Sequence, residues 1–179
     1  MGDGSRVRNY YSGFRTEKFE EQAPEDKPVS PPHPTIDFVE GQASAFDKDC
    51  ADCSAQYAGG EGTPRNKWER VRTKLSALDT SKLHYVKLPE NHIVIDFDIP
   101  DEQGQKSFER NLAEASKWPA TYAEVSKSGC GIHLHYIYSG DPTRLSRIYD
   151  DHIEVKVFTG NSSLRRKLSK CNNLPIATI

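Results

Sequence analysis

Three short segments of this chain alternate apolar and ionisable side chains, and that alternation limits the possible folds more than any other feature. In "HIVIDFD" (92–98), Ile93, Ile95 and Phe97 share one face of an extended strand while Asp96 and Asp98 share the other, because successive strand side chains point to opposite faces. In "GIHLHYIY" (131–138) the apolar side is Ile132, Leu134, Tyr136 and Tyr138, and the opposite side carries His133 and His135. In "HIEVKVF" (152–158), Ile153, Val155 and Val157 oppose Glu154 and Lys156. A period of two marks a strand with one face buried. The ionisable residues therefore gather on the other face.

The segments between them supply the remaining elements. "QKSFERNLAEASKW" (105–118) predicts a helix with Phe108, Leu112 and Ala115 on one side, "ATYAEVS" (120–126) a strand, and "KSGCG" a glycine-rich turn. Asp141-Pro142 is a cap and first-turn pair for a short helix through about Tyr149. From residue 92 the order is β-α-β-β-α-β. This is an α+β fold class with a ferredoxin-like, or RRM-like, core over about 92–158: one antiparallel sheet with two helices on one face. In that topology the first and third strands are central and the fourth lies beside the first.

Upstream, Asn66 is a plausible N-cap with Glu69 three residues on, and Trp68, Val71, Leu75 and Leu78 follow at helical spacing, predicting a helix over 66–79. "LHYVKL" (83–88) predicts a strand, with Pro89-Glu90-Asn91 as a turn before the next one. Together these form an N-terminal α/β extension of the core, in an ordered domain over 66–179. Residues 20–35 are rich in proline and acid and read as an extended linker. Residues 40–66, rich in Gly, Ala, Asp and Ser, read as irregular, so that 1–65 is expected to be a poorly ordered region.

At 179 residues the chain is long enough for one domain with a sizeable core. No stretch is long and apolar enough to span a bilayer, and "MGDGSRVRNYYSGF" lacks the apolar centre of a signal peptide, so a cytoplasmic protein without a membrane partner is expected. Cys50 and Cys53 form a CxxC with no second CxxC to complete a zinc site, which favours free thiols over zinc. The net charge of −2 conceals an asymmetry: residues 1–66 carry −5 and residues 67–179 carry +3. Beyond Glu154 the charged side chains are all basic: Lys156, Arg165, Arg166, Lys167 and Lys170. Such a block suits phosphate contacts.

If the three alternating strands are neighbours, Asp96, Asp98, Glu154, His133, His135 and Lys156 share one surface. Grouped carboxylates bind hard divalent cations through oxygen, and Mg²⁺ or Mn²⁺ keeps substrate phosphates among its ligands. Two such ions can activate an attacking oxygen and stabilise a leaving pyrophosphate. His135, the second member of an HxH, is expected to pack or face solvent.

"IDFD", "SKSGCGIHLHY" and "IEVKVFTGNSSLRRKLSKCNNLPIA" together resemble the archaeo-eukaryotic primase superfamily, in particular the primase–polymerases of phages and mobile elements. The resemblance covers roughly 83–179. It implies an RRM-like catalytic core in which Asp96, Asp98 and Glu154 are catalytic and hold Mg²⁺ or Mn²⁺, with two ions when nucleotide is bound. Ser128, Gly129, Gly131 and His133 would contact the incoming nucleotide, and Lys156, Arg165, Arg166 and Lys167 would serve its phosphates or the template. The implied activity is that of a DNA primase, a DNA polymerase or both: template-directed nucleotidyl transfer on DNA with NTP or dNTP substrates, in phage or mobile-element replication inside a host cell. The chain stops soon after the basic segment, so a short version, a truncated core, or a core served by a separate helicase or priming accessory protein is expected. Two readings of other classes remain beside it: a non-catalytic RRM-like nucleic-acid-binding replication protein, and a metal-dependent nuclease using the same carboxylates.

Overall fold

The computed structural model describes residues 35–40 and 44–179. The expectations for residues 1–34, including most of the proline-rich linker, lie outside the described residues. The fold is α+β, with mostly antiparallel sheets and few helices. Its strands are β1 (Val39–Glu40), β2 (Ala55–Tyr57), β3 (His84–Val86), β4 (His92–Phe97), β5 (Ala123–Val125) and β6 (Ile132–Ile137), then β7 (Ile148–Asp150), β8 (Ile153–Val157), β9 (Leu164–Arg166), β10 (Lys170–Cys171) and β11 (Ala177–Thr178). The helices are α1 (Ala45–Asp49) and α2 (Phe108–Ala115). The larger sheet runs β1-β10-β5-β6-β4-β8-β7, and β11 adds in parallel to β6 where β5 ends. A smaller sheet has the order β2-β3-β9.

The three alternating segments are β4, β6 and β8, and they are neighbours, with β4 between the other two. Their apolar faces form one core: Ile93, Ile95 and Phe97 pack with Ile132, Leu134, Tyr136, Ile153 and Val155 under Ala115 and Trp118, with Phe108 and Leu112 against it. Ser107 caps α2, its hydroxyl accepting from the Arg110 amide.

The opposite face is not open, as the strand alternation alone suggests. Val94 belongs to a second core with Phe46, Cys50, Ala55, Leu75, Val86, Leu88, Tyr122 and Leu164, through which α1 and the smaller sheet cover part of that face. Residues 44–65, expected to be irregular, therefore fold as α1, β2 and a tight turn and bury Phe46 and Ala55 completely. They are not separated from the rest by a boundary at 65/66.

Two predicted helices are absent. Over 66–79 there are only 3-10 turns at Trp68–Arg70 and Leu75–Ala77. Between and beside these turns the backbone bonds to β2 and to the loop that precedes it: Thr73 accepts from the Ala55 amide, while the Leu75 and Ser76 amides donate to Cys53 and Ala51. The helically spaced Val71 and Leu75 are buried all the same. Beyond Asp141-Pro142 the helix stops after one 3-10 turn, Pro142–Arg144, and Ile148–Asp150 pairs with β8 through a bulge. The turn at 89–91 is present, with the His92 amide donating to Pro89, but β3 and β4 lie in different sheets. The chain changes layers there.

Asn111 is fully buried and ties α2 to the rim of the sheet. Its carboxamide accepts from the Ile99 amide at 2.8 Å and donates to Ser107 and Cys130 carbonyls at 2.9 Å each. Asn111→Leu leaves the Ile99 amide and the Cys130 carbonyl without this partner, while the Ser107 carbonyl keeps the backbone amide of residue 111, and each loss costs about 1–3 kcal/mol. Urea denaturation should show a loss of at least that size, and an unchanged midpoint would refute this role for Asn111.

Candidate functional site

Strand register builds the site. On the polar face of the larger sheet, Asp96 of β4 lies directly opposite His133 of β6 on one side and Glu154 of β8 on the other, and His133 in turn lies opposite Glu124 of β5. Four ionisable residues from four strands thus form one row across the sheet. Asp96 accepts from His133 Nε2 at 3.3 Å and from Lys156 Nζ at 2.6 Å. Asp98, just past the end of β4, is exposed and pairs with Lys106 at 3.6 Å. Glu154 is also exposed. The three carboxylates expected to share metals are placed on adjoining strands. Asp96 is held by His133 and Lys156, and Asp98 and Glu154 stand at the solvent edge.

The glycine turn has a geometric reason. Gly129 has φ +80°, a conformation that favours glycine, and a Cβ on Gly131 would stand 3.0 Å from the Phe97 carbonyl and 2.6 Å from Ser126 Oγ. Ser128 is exposed at the tip, its hydroxyl sharing a hydrogen bond with Ser126 and accepting from the Cys130 amide. The turn delivers His133 to the middle of the row.

Behind His133 the site is buried. Glu124 accepts from Arg166 Nε at 3.0 and 2.9 Å through its two oxygens and from the Tyr122 hydroxyl at 2.9 Å. Arg166 also donates to Asp47 at 2.6 Å and to Ser44 at 3.3 Å, and its guanidinium lies 4.3 Å over the Phe46 ring. The expectation that Arg166 contacts nucleotide or template is corrected here: it is buried and fully engaged with protein groups, whereas its neighbours Arg165 and Lys167 are exposed. Arg165 and Arg166 lie in β9 of the smaller sheet. His135 is also completely buried, its Nδ1 sharing a hydrogen bond with His92 Nε2 at 3.0 Å.

Glu124, His133 and His135 are close enough to share a metal ion: their donor atoms lie within 4.8 Å of one another. His135 Nε2 and His133 Nδ1 stand 3.4 and 3.9 Å from Glu124 Oε1, and neither nitrogen has a hydrogen-bond partner among the described residues. Nitrogen and carboxylate donors of this kind suit transition metals rather than Mg²⁺. An ion there would share Glu124 with the Arg166 guanidinium. Cys50 and Cys53 form no disulfide, and the interaction between their side chains lowers Cys53 to about 7 while raising Cys50.

Electrostatics follow the row. Burial opposes ionisation of Glu124, but Arg166 first, and the two histidines after it, hold its carboxyl well below the usual range. Burial likewise opposes the charge on Asp96, and is outweighed by the hydrogen bond and charge of His133 together with Lys156. His133 is desolvated, yet Asp96 and Glu124 raise it to about 9. Burial lowers His135, and lowers His92 to about 3 with help from His135. From inside to rim, Arg166, Glu124, His133, Asp96 and Lys156 alternate in sign.

Glu124 is the residue that sequence reasoning missed. The available signal was the same alternation: in "TYAEV", Ala123 and Val125 share the core face and Tyr122 and Glu124 the other.

Two measurements test this network. Arg166→Met strands a buried carboxylate and should cost about 3–5 kcal/mol, of which the double variant Glu124→Leu/Arg166→Met recovers part. Additive losses in the double variant would count against the pairing. For pH, the raised His133 contributes stability that is complete below 6.5 and lost as pH rises through about 9, on the order of 3 kcal/mol for a shift of this size. The depressed His92 acts on the other side, removing stability as pH falls from 6.5 towards about 3. Urea midpoints should therefore fall between pH 6.5 and 9, and His133→Gln should flatten that limb.

No protein-family model matches this chain, and a search of curated proteins finds no match.

Proposed function

We propose that this chain carries out template-directed nucleotidyl transfer, as a DNA primase, a DNA polymerase or both, on an RRM-like core of the archaeo-eukaryotic primase type. One observation carries the reading. The register sets Asp96 directly between Glu154 and His133 on one face of three adjoining strands, and Asp98 follows just past the end of β4. Those are the acidic pair, the histidine and the third acid that the resemblance requires together. The spatial order β5-β6-β4-β8, with the first and third strands of the core in the centre, supports the same reading, although the second helix of that pattern is replaced by a 3-10 turn and β7.

The donor set fits hard divalent cations. Asp96 is ionised under the influence of His133 and Lys156, Glu154 lies opposite it in the strand register with an exposed side chain, and Asp98, also exposed, pairs with Lys106. These three residues would hold Mg²⁺ or Mn²⁺, which when bound polarises an α-phosphate and favours attack by a 3′-hydroxyl with release of pyrophosphate. His133, raised to about 9 by Asp96 and Glu124, would orient the nucleotide triphosphate together with the exposed Ser128 of the glycine turn. Lys156, half-exposed beside Asp96, would neutralise a phosphate oxygen. A binding module without chemistry fits less well. RRM modules stack bases on aromatics of the central strands, and here the polar face of β4 and β6 carries His92, Val94, Asp96, His133 and His135.

The test is incubation with primed and unprimed DNA templates, nucleotides, and Mn²⁺ or Mg²⁺. Extension or primer synthesis is expected, and Asp96→Asn or Glu154→Gln should abolish it while leaving the fold intact. Cleavage of the template without synthesis would favour the nuclease, and full synthesis by Asp96→Asn would overturn the assignment. His133→Ala should raise the nucleotide dissociation constant roughly ten- to a hundredfold, as for loss of a charged hydrogen bond, with metal affinity nearly unchanged. A loss of metal binding with nucleotide binding spared would instead make the histidine a ligand.

A further inference from the structure

A second feature lies on the outside of the smaller sheet. Register places Gln56, Tyr85 and Arg165 in one row facing away from the second core, since Ala55, Val86 and Leu164 in the neighbouring row are buried in it. The connection from β2 towards β3 folds back beside this row and is held in place. The Gly59 amide donates to Thr63, the Gly62 amide to Gly59, and Ala58 bridges Pro64. Gln56 grips both backbone groups of Asn66, at 2.8 and 2.9 Å. The Tyr85 hydroxyl donates to the Gly62 carbonyl. A side chain on Gly62 would meet the Arg165 guanidinium at 3.0 Å, so Arg165 lies against this turn.

On that frame the sequence from 65 to 74, "RNKWERVRTK", carries five basic residues against a single acid, Glu69. Arg65, Lys67, Arg70, Lys74 and Arg165 are all exposed, and among the described residues no carboxylate lies within ion-pair distance of any of them. Arg72 turns back onto the Glu69 and Val71 carbonyls, and Arg65 donates from Nε to the Ala58 carbonyl with its guanidinium 5.9 Å from the centre of the Tyr57 ring. Five uncompensated cations on a hydrogen-bonded frame repel one another unless a polyanion lies across them. A regular chain of phosphates matches this charge.

We propose that the exposed basic face formed by residues 65–74 and Arg165 binds the backbone of single-stranded DNA. The choice of DNA among polyanions rests on the nucleotidyl-transfer reading, whereas the presence of a polyanion site rests on the charges alone. The strand would lie one layer away from Asp96, since Arg165 points outward from the same strand whose Arg166 points inward to Glu124.

The test uses the full chain and a fluorescently labelled oligodeoxythymidine of about 20 nucleotides, long enough for one site, followed by anisotropy. Five phosphate contacts predict a dissociation constant that rises about a hundredfold between 50 and 200 mM salt. Lys67→Glu/Arg70→Glu/Lys74→Glu removes three of them and should weaken binding about a hundredfold at 0.1 M salt, with the salt slope falling by about 2. Lys117→Glu, on the surface of the other layer where Lys117 pairs with Glu114, should change little. Circular dichroism and the urea midpoint establish that the variants fold, and should the triple variant fail to fold, Lys67→Ala/Arg70→Ala with the expected smaller loss takes its place. Undiminished DNA binding in the charge variants would overturn the proposal. So would competition by polyglutamate or by anionic vesicles equal to that of DNA at matched charge. Failure of nucleotide incorporation with this binding intact would overturn the nucleotidyl-transfer reading and leave the DNA site standing.

Discussion

The contact between Arg166 and Glu124 joins more of this molecule than any other. A guanidinium taken out of water must be paired and hydrogen-bonded, or the fold cannot tolerate it. Here Glu124 supplies two acceptor oxygens, and Asp47, Ser44 and the face of Phe46 supply the rest. Those partners come from β5, from α1 and from its N-cap, while Arg166 itself comes from β9. One side chain thereby fixes how the smaller sheet and the first helix sit on the larger sheet. A buried pair of this kind is weak evidence for added stability, but it admits few alternative packings.

The same pair sets the character of the site. With Glu124 anchored, His133 is drawn towards a carboxylate behind it as well as towards Asp96 in front, and its proton is retained. Asp96 is then flanked by two cations, His133 and Lys156, and stays ionised although it is largely buried. Charge is balanced pair by pair in the interior. Only at the edge, at Asp98 and Glu154, are carboxylates left facing solvent. An incoming cation or phosphate would therefore meet a surface whose charges are already oriented, and such preorganisation is what transition-state stabilisation demands.

The strand alternation made β4, β6 and β8 and their apolar faces legible, and the adjacency of Asp96, His133 and Glu154 followed from the order of elements. What could not be read was the far side. Nothing in "RNKWERVRTKLSALD" distinguishes a helix from a segment whose amides are claimed by Cys53 and Ala51, because the apolar spacing that buries Val71 and Leu75 serves either geometry. Propensity is a weak prior once long-range backbone partners are available. Arg166 was illegible for a similar reason. In a run of basic residues, only the position of the facing strands decides which one turns inward. Glu124 could have been found, since "TYAEV" alternates as clearly as the other strands do.

Because β9 presents Arg165 outward and Arg166 inward, its two arginines differ only in the parity of their position. A slip of one residue in β9 would exchange them, and a guanidinium would still arrive opposite Glu124. Charge complementarity is therefore nearly silent about which register is correct. The discrimination falls to Leu164, which is buried in the second core in one register and turned out to water in the other. An uncharged leucine thus decides which arginine is locked inside and which remains on the surface.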